Sequence, residues 1–572
     1  MQDVGAHPQV NLVGYWPLQG DCLDHSGNAN HGRNCGRGGG VDLRESRFNG
    51  QDNHILVPPS ASLCLGREAF SLAAWVHTNA QVEGVIGDIA GKYDRRKRKG
   101  FTLCIKSSAG GYNSQGDDKH VYFGIDNARL GEWQDCGRPS LESNYVSNSL
   151  TVFDCRLYAG TTDARRFEDW CHVFRYEGGQ NWADCGRAGS QKTRGVGPLI
   201  VHGCALYAAT WSYDWRRVAV DDLDYCHVYR YAGGQEWQDC GQPGHNRRLF
   251  CLASYKGKLY VGGDDATGGT HKIFVYDEDS RWHIAGEFPT EGPRWLFPTA
   301  MGVHAGELYA GFPSVHCFDG EKWACVGTPV ESTQVHSLEV YRGRLYAGTW
   351  PDGKIARYKG GTAWRDCGRP GDSTEVNALT VYNGALYAGS IPRAEVYRYE
   401  GREEWMRLAR FHAPRDWQPV PVCSSSPEAV ELSNEWTRVT SLTVYDGRLF
   451  ASTGSCTSSI LDAPLDVRGK VFSLEAGKCV SYDRDLGAGW HHVVAVRERG
   501  QLRLYLDGRA AGASEPFDGE SYDLANDRPL TIGYGELGYF SGRIRDVRLY
   551  RNALGPEQVA ALCDCSKAVA MP

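Results

Sequence analysis

The stretch LTVFDCRLYAGT, beginning at Leu150, decides the reading because it returns along the chain. It recurs as LIVHGCALYAAT from Leu199, LASYKGKLYVGG from Leu252, MGVHAGELYAGF from Met301, LEVYRGRLYAGT from Leu338, LTVYNGALYAGS from Leu379 and LTVYDGRLFAST from Leu442, seven copies in all. Each copy alternates apolar and polar residues, passes through a Gly or polar pair, then alternates again. Period two on both sides of a short turn is the pattern of a tight β-hairpin.

A second phrase follows most copies: HVFRYEGGQNWADCG from His172, HVYRYAGGQEWQDCG from His227, ARYKGGTAWRDCG from Ala356 and VYRYEGREEW from Val396. It reads as another hairpin, turning on Gly-Gly. The tryptophans that mark its phase, Trp133, Trp182, Trp237, Trp282, Trp323, Trp364 and Trp405, fall 41 to 55 residues apart. Four strands in a unit of that length is the period of a propeller blade, so the repeats predict a seven-bladed β-propeller. Trp133 precedes the first hairpin, whereas the seventh is followed by GKVFSLEAG without a matching tryptophan. The segment around Trp133 is therefore expected to complete the last blade and close the ring, which leaves only short, protected edges.

Composition agrees with an all-β chain. Among 572 residues there are 70 Gly, 30 Tyr and 17 Trp but only 4 Met, a balance that favours turns and aromatic-faced strands over helix. A formal net charge of -7 is mild for this length and gives no global pull toward nucleic acid. No window approaches the run of about 18 apolar residues that a spanning helix needs, and the opening MQDVGAHPQV lacks the basic and apolar regions of an export signal. The expectation is a monomer that inserts in no membrane, cytoplasmic as written and secreted if a leader has been removed. Of the 20 cysteines, Cys136, Cys185, Cys240 and Cys367 each follow Trp-x-Asp in different repeats, too far apart to be bridged. Buried thiols are expected there, with bridges open among Cys423, Cys456, Cys563 and Cys565.

The flanks look incomplete alone and complete together. The first carries VGYWPLQGDCLDHSGNANHG from Val13, RFNGQDNHILVPPS from Arg47 and FSLAAWVHT from Phe70; the second carries GWHHVVAVRERGQLRLYLDGRAAG from Gly489 and FSGRIRDVRLYRNALGPEQVAAL from Phe540. In this order they resemble the signature strands of the laminin G-like domain of the concanavalin A-like superfamily. The resemblance implies a jelly-roll β-sandwich, interrupted by the propeller. The expected organisation is a first sandwich half at 11–128, the propeller at 129–478, the second half at 479–562 and a tail at 563–572. It also implies a structural calcium near the first and last strands, where Asp24 and Asp546 occupy the matching places. Arg545 stands where the family often has an aspartate, and the alternative is that both carboxylates cap turns.

Function is read from the loops. Trp211, Tyr213, Trp215, Arg216 and Arg217 cluster in the second repeat, and Arg248, His271, Arg294, Trp295, His336, Trp350 and Arg438 follow around the ring. Aromatic rings stack on sugar faces and Arg forks match carboxylates and sulfates, so the set suits an acidic glycan; the alternative is loops packing their own aromatics. Residues two before the first apolar position of each hairpin phrase, Asn148, Gly197, Phe250, Thr299, His336, Asn377 and Thr440, are expected at the central mouth. So are Arg248, Gln334, Glu375 and Arg438, four before it. His336, Glu375 and Arg248 are the candidates for acid/base chemistry. The basic run Arg95 to Lys99 reads as a solvated hairpin tip, not a nucleic-acid site, and His491 and His492 face opposite sides of a strand. Three functions stay open: binding of a glycan or polysaccharide, a polysaccharide lyase or glycoside hydrolase at the mouth, and a protein-binding scaffold.

Overall fold

The computed structural model describes residues 11–37, 39–79, 86–107, 109–110, 114–164, 170–212, 224–265, 270–277, 279, 281–289, 297–411, 435–457 and 469–570. The chain is all-β, with one α-helix, Pro556–Ala570, among the described residues.

Both flanks contribute to both sheets of a sandwich. One sheet runs in the order Leu12–Trp16, Ser541–Tyr550, Phe70–Thr78, Gly489–Arg497, Leu502–Leu506, Arg509–Ala513; the other runs Arg33–Cys35, His54–Val57, Leu530–Ile532, Gly87–Asp94, Lys99–Lys106, His120–Leu130, Ala476–Tyr482. Phe70–Thr78 lies antiparallel to Gly489–Arg497, with Trp75 opposite His492 and Ala73 opposite Val494. Alternation then sends Leu72, Ala74 and Val76 into the buried core with Val493 and Ala495. The rings of Trp75 and His492 lie 5.1 Å apart, tilted at 36°, on the outer face instead. There the helix covers them, Trp75 Nε1 donating to Ser566 Oγ at 2.7 Å. The helix thus runs through most of the segment expected to be a tail. His491, on the opposite side of the strand from His492, pairs with Asp507 at 3.0 Å.

Between the flanks, every copy of the hairpin phrase is an antiparallel pair, from Ser143–Phe153 with Arg156–Ala164 to Glu435–Tyr445 with Arg448–Thr457. Their first strands pack side by side in chain order, and the last packs against the first. Behind the last hairpin, Val471–Leu474 pairs with Gln134–Asp135, a strand from ahead of the first hairpin.

The Trp-x-Asp-Cys-Gly motif explains how neighbouring sheets are joined. Trp237 Nε1 donates to the carbonyl of Cys185 in the preceding sheet at 2.9 Å, and Trp182, Trp282, Trp323, Trp364 and Trp405 make the equivalent bond at 2.8 to 3.0 Å. The aspartate caps the next glycine: Asp135, Asp184, Asp239 and Asp366 each accept that N–H at 2.8 Å. At Gly186 a Cβ would fall 2.2 Å from the Gln235 carbonyl, and φ is +87°, so only glycine fits. The four cysteines of the motif are buried free thiols. Cys563 and Cys565 are free as well, so no bridge joins them; Cys423 and the side chain of Cys456 lie outside the described residues.

The sandwich covers the turn end of the ring. Arg342 N–H donates to Glu536 O at 3.0 Å, Asn383 Nδ2 to Ala476 O at 2.7 Å and Asp446 N–H to Asp483 Oδ2 at 2.8 Å, each from a hairpin tip. The short strands Ala109–Gly110 and Ser114–Gln115 reach further, packing against the first strands of five of the seven hairpins. Leu252 N–H donates to Ser114 Oγ at 3.0 Å. The centre of the ring is therefore plugged from the sandwich side. The basic run is a hairpin tip, as expected, but it is not solvated throughout. Arg98 is buried against Asp126 at 3.1 Å and Lys99 pairs with Asp523 at 2.7 Å, leaving Arg96 and Lys97 exposed.

Candidate functional site

The open end of the ring lies where the first strands begin. At six of the seven hairpins the register slips there, between Val146 and Leu150, Val196 and Leu199, Leu249 and Cys251, Val335 and Ser337, Val376 and Ala378, and Val439 and Ser441. A bulge breaks the alternation and re-aims one side chain. The skipped residues are those expected at the mouth, among them Phe250, His336, Asn377 and Thr440.

On hairpins five to seven the mouth is polar. His336 is buried, its Nε2 2.7 Å from Gln334 Oε1 and its Nδ1 3.3 Å from Glu375 Oε1. Burial lowers the His336 pKa below the usual 6.5, Glu375 opposes this and Arg438 adds to it, so the ring is neutral at pH 7. Both neighbours present acceptor oxygens, so a neutral His336 can donate to only one of them. Asn377 is fully buried beside it in sequence register, and neither atom of its amide has a partner among the described residues. Arg438 lies 5.7 Å from the centre of the Tyr145 ring.

On hairpins two to four the mouth is aromatic. Trp211 pairs in register with Arg248 and donates its indole N–H to Leu249 O at 2.8 Å. Its ring lies 5.3 Å from Phe250, which stacks on Phe297 at 4.4 Å. The Arg248 guanidinium sits 4.9 Å and 5.0 Å from those two rings and is held by Asp264 at 2.9 Å. His271 is buried edge-on to Phe297 at 6.4 Å. Trp350, half-buried, lies opposite Gln334 on the fifth hairpin. Tyr213, Trp215, Arg216, Arg217, Arg294 and Trp295 lie outside the described residues.

Two members of this group escaped the sequence reading. Phe297 stands four before Met301, the same offset as Arg248, Gln334, Glu375 and Arg438, so its signal was present. Tyr145 stands five before Leu150, displaced from that offset by the longer bulge between Val146 and Leu150.

The carboxylates expected to hold calcium are occupied by protein donors. Asp24 is buried and accepts N–H from Tyr15, Ser26 and Asn30 at 2.8 to 2.9 Å and the Ser26 hydroxyl at 2.9 Å. Asp546 is buried against Arg548 at 2.9 Å. Among the described residues no group of three or more His, Cys, Asp or Glu side chains is arranged to hold a metal. These contacts are the ones that cap turns.

The sequence of residues 434–560 matches the family model for the concanavalin A-like lectin/glucanases superfamily. That interval takes in the last hairpin as well as the second run of sandwich strands. No curated protein matches the chain. Among solved structures, virginiamycin B lyase from Staphylococcus aureus, a catalytically inactive variant with quinupristin, is 10% identical with a TM-score of 0.43 over 60% of this chain and 98% of that one. A streptogramin B lyase is 9% identical with a TM-score of 0.41 over 60% and 98%. Trypanosoma rangeli sialidase is 12% identical with a TM-score of 0.29 over 87% and 99%. The activities in those names belong to those proteins. This chain is an all-β protein that joins a propeller-like part to a concanavalin A-like part. Among the described residues no helix is long and apolar enough to cross a membrane.

Proposed function

We propose that the chain is a glycan-binding protein in which a seven-bladed propeller, residues 129–478, is inserted into a sandwich built of residues 11–128 and 479–562, and that an acidic polysaccharide lies across the propeller's open mouth. The observation that carries this reading is the pair of arginines held against aromatic rings, Arg248 by Phe250 and Phe297 and Arg438 by Tyr145. Rings offer apolar faces for sugar C–H groups, and each guanidinium offers donors to a carboxylate or sulfate. The plug of the far end makes the mouth a blind cup, suited to holding a chain across its rim.

The test is affinity electrophoresis of the full chain through gels cast with acidic or neutral polysaccharides. Retardation is expected in acidic gels. A charge-assisted hydrogen bond is worth about 1.5–3 kcal/mol, so Arg248→Ala and Arg438→Ala should each weaken it about 10- to 100-fold. Free migration in every gel would overturn the reading and favour a protein-binding scaffold.

Cleavage at the mouth is the second reading, favoured by the buried His336–Glu375 pair at 3.3 Å. It requires polymer loss along the path of the protein in the same gels. Loss that survives both His336→Ala and Glu375→Gln would remove the chemistry from these residues, and retardation without loss leaves a binder.

A further inference from the structure

We propose that the seam between the sandwich and the ring holds a second sugar site, a pocket for a neutral, hydroxyl-rich ligand of mono- or disaccharide size. A cavity of about 360 Å³ opens there, between the tips of the first two hairpins and the sandwich loops facing them. Pockets that bind small molecules span roughly 300–1,000 Å³ and favour domain junctions.

The floor is apolar on the ring side, formed by Val152, Phe153 and Val201. The wall is rich in acceptors: Asp485 from the sandwich and Asp154 from the first hairpin, with Asp118 buried behind them. Their charges are largely spent within the protein. Asp118 pairs with His120 at 2.9 Å, Asp154 with Arg484 at 3.1 Å, and Asp485 lies 3.7 Å from Lys119 Nζ. A free anion would meet carboxylates, and a metal ion would find no three-ligand group among the described residues. What remains attractive is a ligand that donates hydrogen bonds without net charge and lays an apolar face on Phe153.

Asp485 is arranged for such a role. Its Oδ1 accepts the N–H groups of Lys119 at 3.1 Å and Gly487 at 3.2 Å, which fixes the carboxylate. Its Oδ2 has the Cys204 thiol at 3.9 Å as its contact. The walls are preorganised across the seam: Gly203 N–H donates to Asp117 Oδ2 at 3.0 Å and Cys155 N–H to Asp483 O at 2.8 Å. Ligand entry therefore orders little that is not already ordered.

Cys204 lines the cavity, is exposed and serves as the reporter. The full chain is alkylated with iodoacetamide, with and without glucose, galactose, mannose or N-acetylglucosamine, and the rate at each cysteine is read by peptide mass spectrometry. Cys325 and Cys565, also exposed, are internal references. At about five times its Kd, a ligand leaves one site in about six open. At least one neutral sugar should therefore slow Cys204 about sixfold and leave both references unchanged. Asp485→Asn keeps the oxygen that caps the backbone but turns the other into a donor, and should weaken protection about tenfold. Asp154→Asn, at an exposed residue, should also weaken protection. An unchanged Cys204 rate with all four sugars, protection by glucuronate or glucosamine alone, or protection that survives both variants would each overturn the site. Arg248→Ala and Arg438→Ala should leave Cys204 protection untouched, so the mouth and the seam can fail separately.

Discussion

Lys106 and Glu339 form an ion pair across the seam whose removal should be felt by both parts of the molecule. Lys106 ends a sandwich strand and Glu339 lies in the first strand of the fifth hairpin; their side chains are 7% and 3% exposed and meet at 2.8 Å. Lys106 Nζ also donates to Thr380 Oγ1 at 3.1 Å, and Glu339 Oε1 accepts the Val340 N–H at 3.0 Å. In so dry a setting, removing one partner strands the other charge, at a cost of about 3–5 kcal/mol, whereas replacing both with apolar residues of similar volume is often neutral. Lys106→Met and Glu339→Met should each lose about that much, and the double variant should regain most of it, giving a coupling energy of about 3 kcal/mol or more. Urea unfolding followed by tryptophan fluorescence and by far-ultraviolet circular dichroism measures this. In the wild type both signals should move together; in either single variant the sandwich transition should separate from the ring transition. Single variants that lose under about 1 kcal/mol, or losses that simply add, would refute the reasoning and reduce the pair to a solvated contact.

Three other outcomes follow from the same geometry. Trp237→Phe strands the buried Cys185 carbonyl and should cost about 1–3 kcal/mol, whereas Trp133→Phe should cost less because Trp133 Nε1 has no partner among the described residues; equal losses in urea would contradict this. Burial pushes the Asp88 carboxyl from 3.8 to about 7, so the folded state holds a proton that the unfolded state releases, and this contribution to stability is present below about pH 4 and lost as pH rises through about 7. Asp88→Asn should therefore match the wild type at pH 3.5 and exceed it by a growing margin from pH 5 to pH 8, and the reverse order would refute the assignment. Because protein donors occupy Asp24 and Arg548 occupies Asp546, the melting temperature should be the same in calcium as in a chelator, and a rise of several degrees with calcium would show that those carboxylates reorganise around the ion.

The repeats were legible because everything they need is local. Period-two alternation makes a hairpin whatever surrounds it, and Trp-x-Asp-Cys-Gly carries its own cap and turn. Even the closure by Gln134–Asp135 could be read, since it follows from the phase of a single tryptophan. The flanks were legible for a different reason, their resemblance to known strands. What could not be read was whatever depends on two distant segments meeting. Arg98 looks like any solvated arginine until Asp126 is found beside it, and nothing in Ser114 or Gln115 announces a strand that plugs the ring.

The mouth falls between these cases. Its residue types follow from offset counting, but their roles do not, because a bulge changes where a side chain points without changing its place in the repeat. Offset counting made His336 a candidate base. The bulge buries it with Gln334 Oε1 2.7 Å from Nε2 and Glu375 Oε1 3.3 Å from Nδ1, so the groups it meets first are oxygens of its own neighbours and not a substrate. The same slip buries the Asn377 amide, neither atom of which has a hydrogen-bond partner among the described residues. A histidine buried against its own neighbours is poorly placed to take a proton from a substrate, whereas the arginines lie against aromatic rings at the mouth, which is why binding stands ahead of cleavage.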